Sequence, residues 1–262
     1  AARSLRYWRT DPRYLVQFVS VLILPVVLVL GPALNSSRFS AGVSGQPVDT
    51  SFALGHAPTA LLFMAPALAV FMGWALHDDL GMDSTALWSH LSAGISGAHD
   101  RLGRVVGAAV WQAPVMLVVD VFMVVWTGRW EALPAVTGAC LALYGSALAW
   151  SCLASVLLPY ETLAPGDSPM RSRTSGTAFL AALIQMAAIL LLLAVCSPVL
   201  GVAIYGVVQG APVWEWTALV AGVVWCSLLL WGGVVVGGRA LDRRGPQVLA
   251  TIRTWPGHAQ PV

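Results

Sequence analysis

The chain has 262 residues, 58% of them hydrophobic and only 10% charged, with a mean hydropathy of +0.76. Soluble domains carry roughly 25% charged residues, so the composition excludes an ordinary soluble domain and describes an integral membrane protein. The net charge of +2 gives no argument for nucleic acid as a partner, and because all 14 basic residues are arginine, their placement bears on membrane orientation instead.

Residues Ala1 to Tyr14 hold Arg3, Arg6, Arg9 and Arg13 with Leu5, Tyr7 and Trp8 among them, and Pro12 ends any helix begun there. Two readings fit: a short helix on the inner membrane surface, or an ordinary positively charged flank. A bilayer core about 30 Å thick asks for about 20 apolar residues per helix. Six such spans are expected: Leu15 to Leu34, Pro58 to Leu76, Val105 to Trp126, Pro134 to Leu158, Ala178 to Cys196 and Thr217 to Val236. The fold class is therefore an all-α membrane protein of one domain, with a surface segment over 1–14, a six-span bundle over 15–236 and a cytoplasmic tail over 237–262. No stretch has the order of a cleavable signal peptide, so the first span is expected to be retained. A chain that opens on "AARSLRYWRT" rather than methionine leaves two readings open, a whole permease or one six-span half of a longer polypeptide.

Basic residues are left in the cytoplasm by the insertion machinery. Only Arg38 and Arg129 fall on one side of the six spans; every other arginine falls on the opposite side. Both termini and the 77–104 and 159–176 loops are thus expected inside. The run from Ala178 to Val208 is too long for one upright span, and Pro198 gives it a breaking point. Residues Val199 to Val208 are read as a re-entrant piece dipping from the outer face, with a long helix kinked at proline as the alternative. Gly103 with Gly107, and Gly233 with Gly237, have the small-x-x-x-small spacing that lets helices approach closely.

Little in the sequence points to covalent chemistry. Cys140, Cys152, Cys196 and Cys226 form no C-x-x-C pair and read as small buried hydrophobes. His77, Asp78, Asp79, Asp83 and His90 are metal-compatible types, but adjacent residues diverge on a helix and no ligand spacing appears; they read as a solvated cluster at the membrane edge. Asp120 is the one carboxylate well inside an expected span, and it either faces a translocation path or accepts hydrogen bonds within the bundle. Ser146 follows Gly145, yet span six holds no histidine to serve it as a base. A phosphate loop of the form G-x-x-x-x-G-K-[ST] needs a lysine, and there is none. No enzymatic activity is expected of the chain by itself.

The stretch "LGMDSTALWSHLSAGISGAHDRLGR", Leu80 to Arg104, is longer than a connection between spans two and three requires. Asp83, Ser84 or Thr85 can cap a helix, and Leu87, Trp88, Leu91 and Ile95 then recur as an apolar stripe over about three turns. Gly94 and Gly97 end it. The bland alternative is a helix lying passively on lipid.

This arrangement resembles the membrane subunits of type-2 ABC exporters, in which a basic surface helix precedes span one, a coupling helix between spans two and three docks in the ATPase, and re-entrant helices join spans five and six. "GMDSTALWSHL" followed by "SGAHDRLGR" is similar to an actinobacterial group of such permeases, with Asp83 to Trp88 matching the helix opening and Leu102, Gly103 and Arg104 an L-G-basic step into span three. Where many relatives carry glutamate-x-glycine-threonine, a proline after the helix and a lysine, this chain has Asp83, Ser84 and Thr85, then Gly94 to Gly97, then Arg104. The resemblance implies the transmembrane part, or one six-span half, of an ATP-driven exporter in a bacterial cytoplasmic membrane. Asp83, Ser84, Thr85, Leu87, Trp88 and Leu91 would couple it to ABC ATPase subunits carrying ATP and magnesium, and a second six-span bundle and membrane lipid would be its other partners. The rival reading is a non-transporting membrane anchor or regulatory subunit that docks a cytoplasmic partner through the same segment.

Overall fold

A computed structural model describes residues 2–17, 19, 23, 27, 55, 57–164, 176–256 and 258, and every regular element among them is helical. Helix α1 (Ala2–Thr10) buries Trp8 against Tyr14 and Trp111, with ring centroids 5.0 and 4.9 Å away. The N-terminal arginine segment is thus a docked helix. A 3-10 turn, Thr59–Phe63, leads into α2 (Met64–Trp74). After a turn at 75–78 come α3 (Asp79–Asp83), a second 3-10 turn (Ser84–Leu87) and α4 (Trp88–Ser92). Four longer helices follow: α5 (Gly97–Thr127), α6 (Leu133–Leu157), α7 (Gly176–Gln209) and α8 (Pro212–Arg253).

Among the described residues four helices are long and apolar enough to cross a membrane, and a fifth crossing results if Thr59–Trp74 and Asp79–Ser92, bent by 46°, are taken as one broken span. The expected first span, Leu15 to Leu34, lies almost wholly outside the described residues, as does most of the 159–176 loop with Arg171 and Arg173.

One expectation about the C-terminal half needs correction. The expected re-entrant piece is a continuous part of α7, which runs through Pro198. Pro198 lacks an N–H for the carbonyl of Ala194 four residues earlier, and the Ser197 hydroxyl donates to that same carbonyl at 2.8 Å. The helix is thereby relieved of an unsatisfied acceptor at membrane depth. The expected tail over 237–262 is also helical as far as Arg253, so α8, at about 1.5 Å per residue, is about 63 Å long, roughly twice the hydrocarbon thickness.

The extension stays packed because glycine brings backbones together. A Cβ on Gly237 would strike the Cys152 carbonyl, and one on Gly238 would strike Ala98. Beyond them Leu241, Val248 and Ile252 are buried with Leu80, Leu87 and Val156. Helix α6 is the centre of the bundle, and its contact with α8 is as close: a side chain on Gly222 would collide with the backbone of Gly138, and one on Gly138 with the backbone of Ala218 and Leu219.

Candidate functional site

The connector between α2 and α5 is held by charge. Asp79 and Asp83 on α3 meet Asp100, Arg101 and Arg104 on the first turns of α5, and all five are buried. Arg101 donates to Asp79 at 3.1 Å, to Asp100 at 2.5 Å and to the Ser155 hydroxyl of α6 at 2.8 Å. Arg104 donates to Asp100 at 2.9 Å and to the Asp79 backbone carbonyl at 3.3 Å, pairs with the Asp79 carboxylate at 3.2 Å, and also binds Asp83. Three carboxylates thus face two guanidiniums, and Arg3 of α1, 3.8 Å from Asp83, brings a third cation to the rim. His90 of α4 completes the edge through its Nδ1, 2.5 Å from Asp100.

Ionic groups this deep are tolerated only when paired and hydrogen-bonded. The cluster therefore fixes α1, α3, α4, α5 and α6 to one another.

The carboxyl-terminal residues lock the same connector from the other side. The Ser84 hydroxyl lies 2.8 Å from His258 Nδ1, and His258 Nε2 lies 2.9 Å from the Thr162 carbonyl. The amide of Gly97 donates to Asp242 of α8 at 2.6 Å. Ser96 caps α5 by accepting the His99 amide at 3.5 Å.

These contacts correct the sequence expectation in three ways. Asp83, Ser84 and Thr85 do not cap a helix with their side chains. Asp83 and Ser84 are drawn inward by Arg104 and His258, and Ser84 adopts φ +55°, which an L-residue rarely takes and a helix cannot contain. The expected three-turn helix is consequently broken into α3, a 3-10 turn and α4. Nor do the apolar residues share one outward stripe: Leu87 is fully buried among Leu241, Val248 and Ile252, Leu91 is half-buried against Gly245, and Trp88 is 54% exposed. Thr85 is half-buried and Ile95 exposed. Finally, His77, Asp78, Asp79 and Asp83 are not solvated but buried. Among the described residues no grouping could hold a metal ion.

The turn after α2 carries two further buried groups. His77 Nδ1 donates to the Trp74 carbonyl at 2.8 Å, so in the neutral ring Nε2 accepts from the Tyr160 hydroxyl at 2.6 Å. Burial pulls its pKa down to about 4, which keeps the ring neutral at physiological pH. The Asp78 carboxyl is fully buried; burial first, and then the neighbouring Asp79, push its pKa well up, against partial relief from the Tyr160 backbone amide.

Asp120 faces the interior of the bundle, fully buried, and accepts from the Thr137 hydroxyl and the Cys140 thiol, both at 3.1 Å. Both partners sit on α6, so the carboxylate links α5 to α6. The four cysteines are free, with Cys140, Cys152 and Cys196 buried and Cys226 half-buried.

Of the cluster, Arg101 figures in the sequence only as a topological charge, Arg104 as such a charge and as the basic residue of the L-G-basic step, and Asp100 not at all. The i, i+4 pair Asp100 and Arg104, opposite Asp79 and Asp83 at the same spacing, was the available signal. No protein family, curated protein or solved structure matches this chain. The likeness to type-2 exporters therefore rests on the residues named above.

Proposed function

We propose that the chain is the transmembrane subunit, or one half, of an ATP-driven exporter of the type-2 ABC class, with the 79–92 connector as the part that receives force from separate ATPase subunits. The observation that carries this reading is the contrast within the connector: Trp88 is 54% exposed while the residues around it are clamped to α5 and α6 by buried ions. An aromatic anchor on a rigid mount is what a docking contact requires, because little ordering entropy remains to be lost on binding. Displacement of Trp88 passes through Asp83 and Arg104 into α5, and through Leu87 into α8. The bundle then rocks against a second six-span bundle, and substrate affinity differs between the two states. In this reading the arginine-rich end is cytoplasmic, Asp83, Ser84 and Leu87 position the connector, and Trp88, with Thr85 and Leu91 beside it, meets the partner. ATP and magnesium belong to that partner.

The test is co-purification with nucleotide-binding partners, followed by Trp88→Ala in the reconstituted complex. Loss of a buried anchor of about 2 kcal/mol weakens association about thirtyfold, at 1.4 kcal/mol per decade, while insertion and fold persist. Ser92→Ala, on the exposed end of α4, should bind as the parent does. A complex without nucleotide-binding subunits would favour the membrane-anchor reading, and unchanged binding by Trp88→Ala would remove the coupling role from this segment.

A further inference from the structure

At the arginine-rich end of the bundle, apart from the ion cluster, Gln185 of α7 receives two indole hydrogen bonds. Its Oε1 accepts from Trp74 Nε1 at 3.1 Å and from Trp150 Nε1 at 2.8 Å. Indoles only donate, so the orientation of the amide is fixed by chemistry, and Nε2 is necessarily turned away from both rings. That amide nitrogen is buried and has no hydrogen-bond partner, although the whole side chain is only 4% exposed. An unmet donor at such a position ordinarily costs about 1–3 kcal/mol.

The same side chain forms part of the wall of an open-sided cavity of about 310 Å³, lined also by Phe71, Trp74, His77, Tyr160, Ala182 and Met186. The polar rim of this cavity has few other donors to offer. The His77 Nδ1 proton is committed to the Trp74 carbonyl and the Tyr160 proton to His77 Nε2, and the His77 ring is stacked on Trp74 at 3.9 Å. The remaining lining is apolar and continues onto the exposed surface of α7 at Leu183, Met186 and Leu190. The cavity therefore matches a molecule with a hydrocarbon body and one acceptor oxygen close to its polar end.

We propose that this cavity binds an acyl-ester segment of a glycerophospholipid from the leaflet at the arginine-rich end. The ester carbonyl accepts from Gln185 Nε2, and the chain lies along Ala182 and Met186. The location agrees with this occupant: the cavity sits where α2 ends at Trp74 and α7 begins, at the level where ester carbonyls meet the hydrocarbon core and where Trp concentrates. The amide is closed to water, so a carbonyl that parts the wall by side-chain movement meets it without competition from solvent. The site is separate from the ion cluster and from Trp88, and does not depend on what, if anything, the chain transports.

The experiment uses the full chain in nanodiscs of phosphatidylcholine whose chains are either ester-linked or ether-linked, with a trace of an ester-linked phosphatidylcholine carrying a photoreactive acyl chain. An ether-linked matrix has no carbonyl with which to compete. Crosslinking to the 179–189 segment is expected to be about threefold to tenfold higher there than in the ester-linked matrix, the range one net hydrogen bond gives. Crosslinking to the exposed face of α8 around Leu228 should be the same in both. Gln185→Leu should abolish the difference. Ala182→Trp, which fills the cavity and leaves both indole hydrogen bonds in place, should remove labelling of the segment, and it decides the matter by itself if loss of the amide unfolds the chain. Equal labelling of the segment in the two matrices, or full labelling of Ala182→Trp, would overturn the proposal.

Discussion

The stretches Trp130–Leu157 and Phe179–Gln209 are both apolar and of spanning length, yet 72% of the most apolar window of the first is buried inside the bundle against 17% of the second. Greater hydrophobicity does not bring a helix inside, since the second stretch is the more apolar of the two. Side-chain size does: the buried positions of α6 include Ala135, Gly138, Ala139, Cys140, Ala142, Gly145, Ser146 and Ala147, whereas Leu180, Leu183, Met186, Leu190 and Leu191 point outward from α7. Between helices in lipid there is no water to expel, so close van der Waals approach decides which helix is inside. Helix α6 is central because its surface is small. Helix α7 is peripheral because its surface is bulky.

The comparison extends to the arginine-rich end, where α5 and α6 continue into a buried ionic base. Arg101→Met should give the largest loss. It keeps an unbranched chain but leaves Asp79 and Asp100 short of a partner at a site 1% exposed, and breaking a buried pair from one side costs about 3–5 kcal/mol. Unfolding of the purified protein in mild detergent would measure it, and a loss below about 1 kcal/mol would mean that water reaches the cluster.

Gly222→Leu comes next. Its side chain would be driven into the backbone of Gly138, and overpacking of this kind costs about 1–3 kcal/mol, read in the same assay. A neutral result would show that α6 and α8 are not held as closely as the bundle implies.

Leu190→Ala on the outer face of α7, where the side chain is 66% exposed, should change stability by no more than about 0.5 kcal/mol. A loss comparable to that of Gly222→Leu would sharpen the comparison differently, by showing that this face of α7 is covered by another polypeptide in the assembled protein.

Much of the bundle was legible because the signals were local. The expected spans Val105 to Trp126 and Pro134 to Leu158 lie within or close to α5 and α6, and Ser96 with Gly128 at φ +70° closes α5 by local capping. Gly233 and Gly237 were recognisable from their spacing, and both meet α6 backbone, at Ala149 and Cys152. The continuity of α7 was less legible, since a proline normally marks a break and only Ser197, one residue earlier, supplies the missing hydrogen bond.

The composition by itself determined that the protein is a bundle of apolar helices, because too few polar residues exist to cover a soluble surface. The periodicity of the 80–104 stretch determined that a structured connector lies between α2 and α5. Which of its residues face outward was decided only by tertiary structure. Asp83, beside the apolar stripe, and Leu87, the first residue of that stripe, are pulled inside by Arg104 and by α8, partners 21 or more residues away, while Trp88 of the same stripe is left exposed. The physical reason is that a charge at the edge of a membrane can be satisfied equally by water or by an opposite charge. The choice depends on whether a partner is brought within reach in space, as the close packing of Gly97 against Gly238 brings α5 and α8 together beneath the connector.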